Sequence, residues 1–227
     1  MKGTVGERDY APGAAMYHVG VRSLSLCLSL FACTAVVVAC SSSDDGGPAP
    51  TPAPSGPRDR TNVPRRPAAS CPVVIDAPAI VSPQHVPETE QLTYNSNPPS
   101  SGPHYPVWAA FREYAAPVPR GYTIHALEHG GVVLSYKCDP GPACTAIVEG
   151  LRKAAAAVPD DPKCAGSAVR ARVVITPDPL LDVPVAAAAW GWTYKAECVD
   201  EPTLTTFLKD NYGLGPEDTC ADGRATF

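Results

Sequence analysis

The sequence predicts an α+β fold, in which a small, mainly antiparallel sheet is covered by helices and connected by proline-rich loops. Short apolar runs typical of strands alternate irregularly with longer amphipathic runs typical of helices. The 27 prolines among 227 residues require many loops, and an even set of cysteines in the C-terminal part predicts that disulfides stabilise the fold.

Each expected element follows from a local pattern of apolar residues, with Pro and Gly marking its ends. Strands are expected at residues 72–75, 132–136 and 169–176, and helices at residues 107–114, 143–158 and 203–211. Residues 185–194 leave two options open. Their alanines favour a helix, whereas Trp190 and Trp192, two positions apart, favour a strand.

The first forty residues predict a lipoprotein signal peptide. An uncharged run at residues 23–38 follows Arg22, which is the arrangement of a secretory signal. Val37-Val38-Ala39-Cys40 resembles a bacterial lipobox, in which the cysteine is lipidated. We therefore expect export to the periplasm or cell surface and attachment to a lipid membrane through Cys40. The alternative is a single membrane-spanning anchor, for which the run is slightly short.

Residues 41–70 predict a disordered tether, and residues 71–227 a single globular domain. The tether contains seven prolines, several of which alternate with Ala and Thr, a composition that favours extended chain over a packed core. The formal net charge of −5 disfavours nucleic acid as a partner, because binding phosphates needs an excess of Lys and Arg. The sequence indicates no particular protein partner.

Six cysteines remain after the signal peptide, and in an exported domain they predict up to three disulfides. The loop from Cys138 to Cys144 is short and rich in turn residues, so these two are expected to pair. The pairing of the others stays open. A thiolate metal site is the weaker interpretation, because the sequence has no CxxC pair. The six are Cys71, Cys138, Cys144, Cys164, Cys198 and Cys220.

Three histidines and one glutamate are candidate metal ligands. On a helix, His125 and His129 share a face and can bind one ion, whereas on a strand they lie about 13 Å apart. Gly130 and Gly131 indicate a helical turn or bulge before the next strand. Glu128 is a ligand, a partner of a ligand or a general base, and His104 lies in a stiff loop that can supply a third imidazole.

The same residues carry a resemblance to a bacterial family. The block from Tyr94 to Tyr105, which contains SGPH, and the block HALEHGG at residues 125–131 resemble the family called domain of unknown function 3105. The resemblance covers about residues 85–215. It implies that the two blocks form one site and that members are exported or membrane-anchored, but it carries no assigned reaction.

Imidazole ligands suit copper(II) or zinc, so the sequence predicts a tethered protein with a histidine-rich copper or zinc site. Two alternatives stay open. HxxEH resembles the inverted zinc-peptidase motif, which makes Glu128 the base of a metal-dependent hydrolase. In a non-metal interaction module, the histidines instead brace loops, and Tyr94, Tyr105 and Trp192 contact a partner. A binding protein is favoured over an enzyme, and no catalytic residue is assigned.

Overall fold

The computed structural model describes residues 70–227, which form one five-stranded sheet and three α-helices. The expected signal peptide, its lipidation residue Cys40 and residues 41–69 of the expected tether lie outside the described residues. Among the helices of residues 70–227, none is both long and apolar enough to cross a membrane. The strands are β1 (Val73–Asp76), β2 (Val132–Tyr136), β3 (Val173–Pro177), β4 (Val185–Ala189) and β5 (Trp192–Ala196), and the helices are α1 (Arg120–Glu128), α2 (Pro142–Ala156) and α3 (Glu201–Asn211).

The sheet has the strand order β1-β5-β4-β2-β3 and is mainly antiparallel. Its one parallel pair is β2 with β3, and α2 provides the crossover between them, as parallel neighbours require. The other three pairings are antiparallel. The prediction of an α+β fold with a small, mainly antiparallel sheet is therefore confirmed.

Helices cover both faces of the sheet, because successive side chains of a strand point in opposite directions. On one face, Val132 and Leu134 pack with α2 and α3 in the larger apolar core. On the other face, Val133 packs with α1 in a second core. Proline-rich loops complete this second layer. The candidate site lies in this second layer, because α1 carries His125 and Glu128 and is followed directly by His129.

The helix expected at residues 107–114 is wrong. This segment runs extended beside the sheet: Tyr114 N–H donates to Ile175 O at 2.8 Å, and Ala110 N–H donates to Arg224 O at 2.8 Å. Phe111 and Tyr114 are buried in the second core. Long-range backbone bonds and burial of these aromatic rings outweigh the weak local preference for helix.

Residues 185–194, for which the sequence left helix and strand open, form β4 and the first part of β5. Gly191 has a φ of 71° and lies in the tight turn between them, a conformation that glycine adopts without steric cost. All five residues of β4 are buried. The alanines of β4 therefore belong to a strand that is enclosed on both faces, and not to a helix.

Three disulfides stabilise the domain, one within a short loop and two between distant parts of the chain. Cys138 pairs with Cys144, as the short loop predicts. The two pairings that the sequence left open are Cys71 with Cys198, at the outer end of β1, and Cys164 with Cys220. The last of these fixes the C-terminal segment against the body of the domain, next to the candidate site.

Candidate metal centre

Helix α1 is the central element of the site, because it carries His125 and Glu128 on one face. Every residue of α1 from Gly121 to Glu128 is buried. The sequence predicted a single helical turn or bulge here, and the structure extends it to nine residues. Gly130 ends the helical region with a φ of +80°, and a Cβ at this position would meet the Arg172 guanidinium at 2.7 Å.

Two loop histidines are brought to α1 by a short backbone pairing. His85 and His104 form an isolated parallel bridge. His104 N–H donates to Gln84 O and Val86 N–H donates to His104 O, both at 2.9 Å. These bonds place the His85 and His104 rings side by side, with centroids 4.9 Å apart.

The three imidazoles converge on one carboxylate oxygen. The Glu128 Oε2 atom lies 2.9 Å from His104 Nε2, 3.9 Å from His85 Nε2 and 4.0 Å from His125 Nε2. His104, His125 and Glu128 are buried, whereas half of the His85 side chain is exposed. The four residues offer ligand atoms that all lie within 4.8 Å of one another.

Backbone carbonyls set the tautomers of the two buried imidazoles. His104 Nδ1 lies 2.9 Å from Gly102 O, and His125 Nδ1 lies 2.6 Å from Tyr105 O. A carbonyl oxygen only accepts hydrogen bonds, so each Nδ1 carries the proton. Nε2 is then the nitrogen of each ring that remains for contact with Glu128. This is the orienting contact that metal-binding histidines commonly make.

Two buried polar atoms of the group lie side by side without a hydrogen-bond partner. His104 Nε2 and Glu128 Oε2 are 2.9 Å apart, yet each lacks a partner among residues 70–227. Buried polar atoms without a partner are unfavourable, and either a proton or a metal ion between these two atoms supplies the missing contact.

Burial also keeps His125 in the form that binds metals. Loss of solvent around the ring is the main cause that lowers its pKa to about 4, and this effect outweighs the hydrogen bond to Tyr105, which raises the pKa. The neighbouring histidines lower it further. The imidazole is therefore neutral at pH 5 and above, so a metal ion does not have to displace a proton from its Nε2.

A second group adjoins the first and contains His125, His129 and Glu217. His129 Nε2 lies 2.9 Å from Glu217 Oε2. Burial is the main cause that lowers the His129 pKa, although Glu217 acts in the opposite direction. The Trp108 ring lies against both histidines, with centroids 5.2 Å from His125 and 4.3 Å from His129.

Of the four candidate ligands, the structure brings His104, His125 and Glu128 into one group and places His129 in the adjoining one. Sequence reasoning missed His85 and Glu217. His85 had a usable signal: it is one of four histidines in residues 70–227, and all four gather here. Glu217 had none, because it reaches the site only through the folding of the C-terminal segment.

The fold and this cluster define a small α+β domain with a buried histidine–carboxylate site. The family model described as protein of unknown function (DUF3105) matches residues 85–223, which is more than half of the chain. The chain belongs to this family, and the match includes all six residues of the two groups. Neither the curated proteins nor the solved structures contain a match to the chain.

Proposed function

We propose that this protein is an exported, membrane-tethered lipoprotein whose domain binds one copper(II) or zinc ion through His85, His104, His125 and Glu128. The signal-like N-terminus and Cys40 support the location, and the buried cluster supports the binding. The observation that carries the proposal is the convergence of three imidazole Nε2 atoms on a single oxygen of Glu128.

The donor set fits these metals. Zinc is bound at about 2.0–2.1 Å by nitrogen and at similar distances by carboxylate oxygen, usually in a tetrahedron. Neighbouring ligand atoms in such a tetrahedron are about 3.3 Å apart. The separations from Glu128 Oε2, between 2.9 and 4.0 Å, bracket this value, and all ligand atoms of the group lie within 4.8 Å of one another. Copper(II) accepts the same nitrogen and oxygen donors.

Burial favours binding over hydrolysis of a large substrate. His104 and His125 are 0% and 2% exposed, and His85 is the one half-exposed member of the group. A groove of about 550 Å³ does lie on the domain, lined by residues such as Tyr136, Pro177 and Pro184, but it contains none of the six site residues. The hydrolase alternative therefore has less support than metal binding.

The test is elemental analysis of the full chain, exported to an oxidising compartment and purified without a histidine tag or chelator. We expect about one equivalent of copper or zinc, and loss of that ion in the double variant His104→Gln/His125→Gln. Near-ultraviolet circular dichroism checks that the double variant is folded. Absence of metal after reconstitution, or equal metal in the folded double variant, overturns the proposal.

His129→Gln is the matched control. It makes the same chemical change at the end of α1, one residue beyond Glu128, without removing a member of the four-residue group. We expect this variant to retain the tightly bound ion, which assigns the loss in the double variant to its ligands rather than to general loosening of the helix.

A further inference from the structure

We infer that His129 and Glu217 form an outer position for the same class of cation, next to the inner position and sharing His125 with it. The inner position is the group of His85, His104, His125 and Glu128. The inference rests on the proposed function, because ions at the outer position are passed to the inner one. The inference therefore gives metal ions a route into the site and gives Glu217 a role in their uptake.

The geometry of the outer position is already close to that of a binding site. His125, His129 and Glu217 offer ligand atoms within 4.8 Å of one another. His129 is 3% exposed, and its Nδ1 is buried without a hydrogen-bond partner among the described residues. A buried imidazole usually has partners for both nitrogens, so an incomplete set indicates that His129 has bonding capacity to spare.

The shared residue makes the two positions unequal. His125 Nδ1 is occupied by its bond to Tyr105 O at 2.6 Å, which leaves Nε2 as its only metal-binding atom. One nitrogen lone pair binds one ion at a time. When the inner ion holds His125, the outer position keeps only His129 and Glu217. It is then the weaker position, which suits an ion in transit.

Exposure distinguishes the two carboxylates. The Glu217 side chain is 49% exposed, whereas that of Glu128 is 7% exposed. Glu217 therefore meets an incoming cation first, and its negative charge attracts it. Trp108 contacts both His125 and His129, so the two imidazoles that link the positions are held against one rigid ring.

The segment that carries Glu217 is fixed to α1, so the carboxylate does not depend on a mobile loop. Glu217 N–H donates to Glu128 O at 3.1 Å, and Gly213 N–H donates to Gly130 O at 2.9 Å. The next residue, Asp218, pairs with Arg172 and Lys163. Because Glu217 and Glu128 are joined through the backbone, the outer carboxylate has a defined place beside the inner one.

The experiment titrates the full chain with zinc chloride and, separately, with copper(II) chloride, and measures association rates by stopped flow. We expect wild type to bind one tight equivalent and a second that is weaker by at least about tenfold. Glu217→Gln should keep the tight equivalent, lose the weak one and take up metal about tenfold more slowly at low ionic strength. Glu197→Gln, the same change at an exposed site elsewhere, should match wild type.

Three results overturn the inference, and they are distinguishable. Equal rates and two equivalents in Glu217→Gln show that ions enter elsewhere, such as past His85, and leave the proposed function intact. Loss of the tight ion in Glu217→Gln makes Glu217 a ligand of the inner position. Absence of any bound ion in wild type overturns the proposed function together with the inference.

Discussion

His104 Nε2 lies 2.9 Å from Glu128 Oε2, and neither atom has a hydrogen-bond donor among residues 70–227. The bond from His104 Nδ1 to Gly102 O leaves Nε2 as the nitrogen that faces the carboxylate. Buried polar atoms without a hydrogen-bond partner are unfavourable, and this pair lies at the point where three imidazoles meet.

Glu128→Gln is expected to separate stability from metal binding. A glutamine amide can donate to His104 Nε2 and give this buried atom a partner, so the variant in EDTA should be more stable than wild type by about 1 kcal/mol. The tight ion should be lost, because an amide is a poorer ligand than a carboxylate. Urea unfolding in EDTA and metal titration measure the two effects. A variant less stable than wild type in EDTA contradicts this account.

His85→Ala should weaken the metal site with little effect on the fold. Half of this side chain is exposed, and its ring packs against the rings of His104 and His125. We expect metal affinity to fall about 10–100-fold, while the free energy of unfolding in EDTA changes by less than about 0.5 kcal/mol. Gln84→Ala, at the adjacent exposed position, is the control and should leave metal affinity unchanged.

Trp108 should report metal binding optically. Its ring centroid lies 5.2 Å from that of His125, and a paramagnetic copper(II) ion quenches tryptophan fluorescence at such short range. Copper(II) should therefore quench part of the emission of wild type and much less of that of Trp108→Phe. Trp190→Phe is the control, since Trp190 belongs to the second core but makes no ring contact with the site histidines. Equal quenching in Trp108→Phe and wild type would place the ion elsewhere.

The sequence predicted β1, β2, β3, α2 and α3 because each of these elements has a strong local pattern, whereas it left residues 185–194, which form β4 and part of β5, open between helix and strand. It failed at residues 107–114, where the apolar spacing fits a helix but the backbone bonds to Ile175 and Arg224. At the site, His125 and Glu128 of α1, together with His129 directly after it, form a local motif that the sequence shows. His85 and Glu217 are brought in by pairings with distant backbone, at His104 and Glu128, that no local pattern encodes.

A buried ion pair beside the site should make stability depend on acid pH. Arg172 is 2% exposed and donates to Asp161 Oδ2 at 2.8 Å. Burial raises the pKa of Asp161, but hydrogen bonds from Tyr212, the Lys163 backbone and Arg172 together lower it below its usual value. An aspartate in the unfolded chain has a pKa of about 4. When folding lowers that pKa, the carboxylate stabilises the fold above about pH 4, and this stabilisation is lost as the pH falls through the lower pKa of the folded state.

Asp161→Asn should accordingly lower the free energy of unfolding at pH 7 by about 3 kcal/mol, since it leaves the buried Arg172 charge with less compensation. The variant should also lose less stability than wild type between pH 4.5 and 2. Urea unfolding at several pH values measures both effects. Asp160→Asn, whose side chain is 85% exposed, is the control, and a similar loss there would contradict the assignment to the buried pair.

The disulfides should differ in their contribution to stability according to the length of chain that each encloses. Cys164–Cys220 spans 56 residues and Cys138–Cys144 spans 6. Loop-closure entropy then predicts that replacing both cysteines by alanine costs about 4 kcal/mol for the first pair and about 2 kcal/mol for the second. Guanidinium unfolding of the two double variants measures the difference.

The Cys164–Cys220 variant also removes one restraint on the segment carrying Glu217, whereas all four inner ligands stay in place. It should therefore retain the tight ion but take it up more slowly, and the Cys138–Cys144 variant should bind metal at the wild-type rate. Loss of the tight ion in the folded Cys164–Cys220 variant would show that the C-terminal segment holds the inner ligands as well.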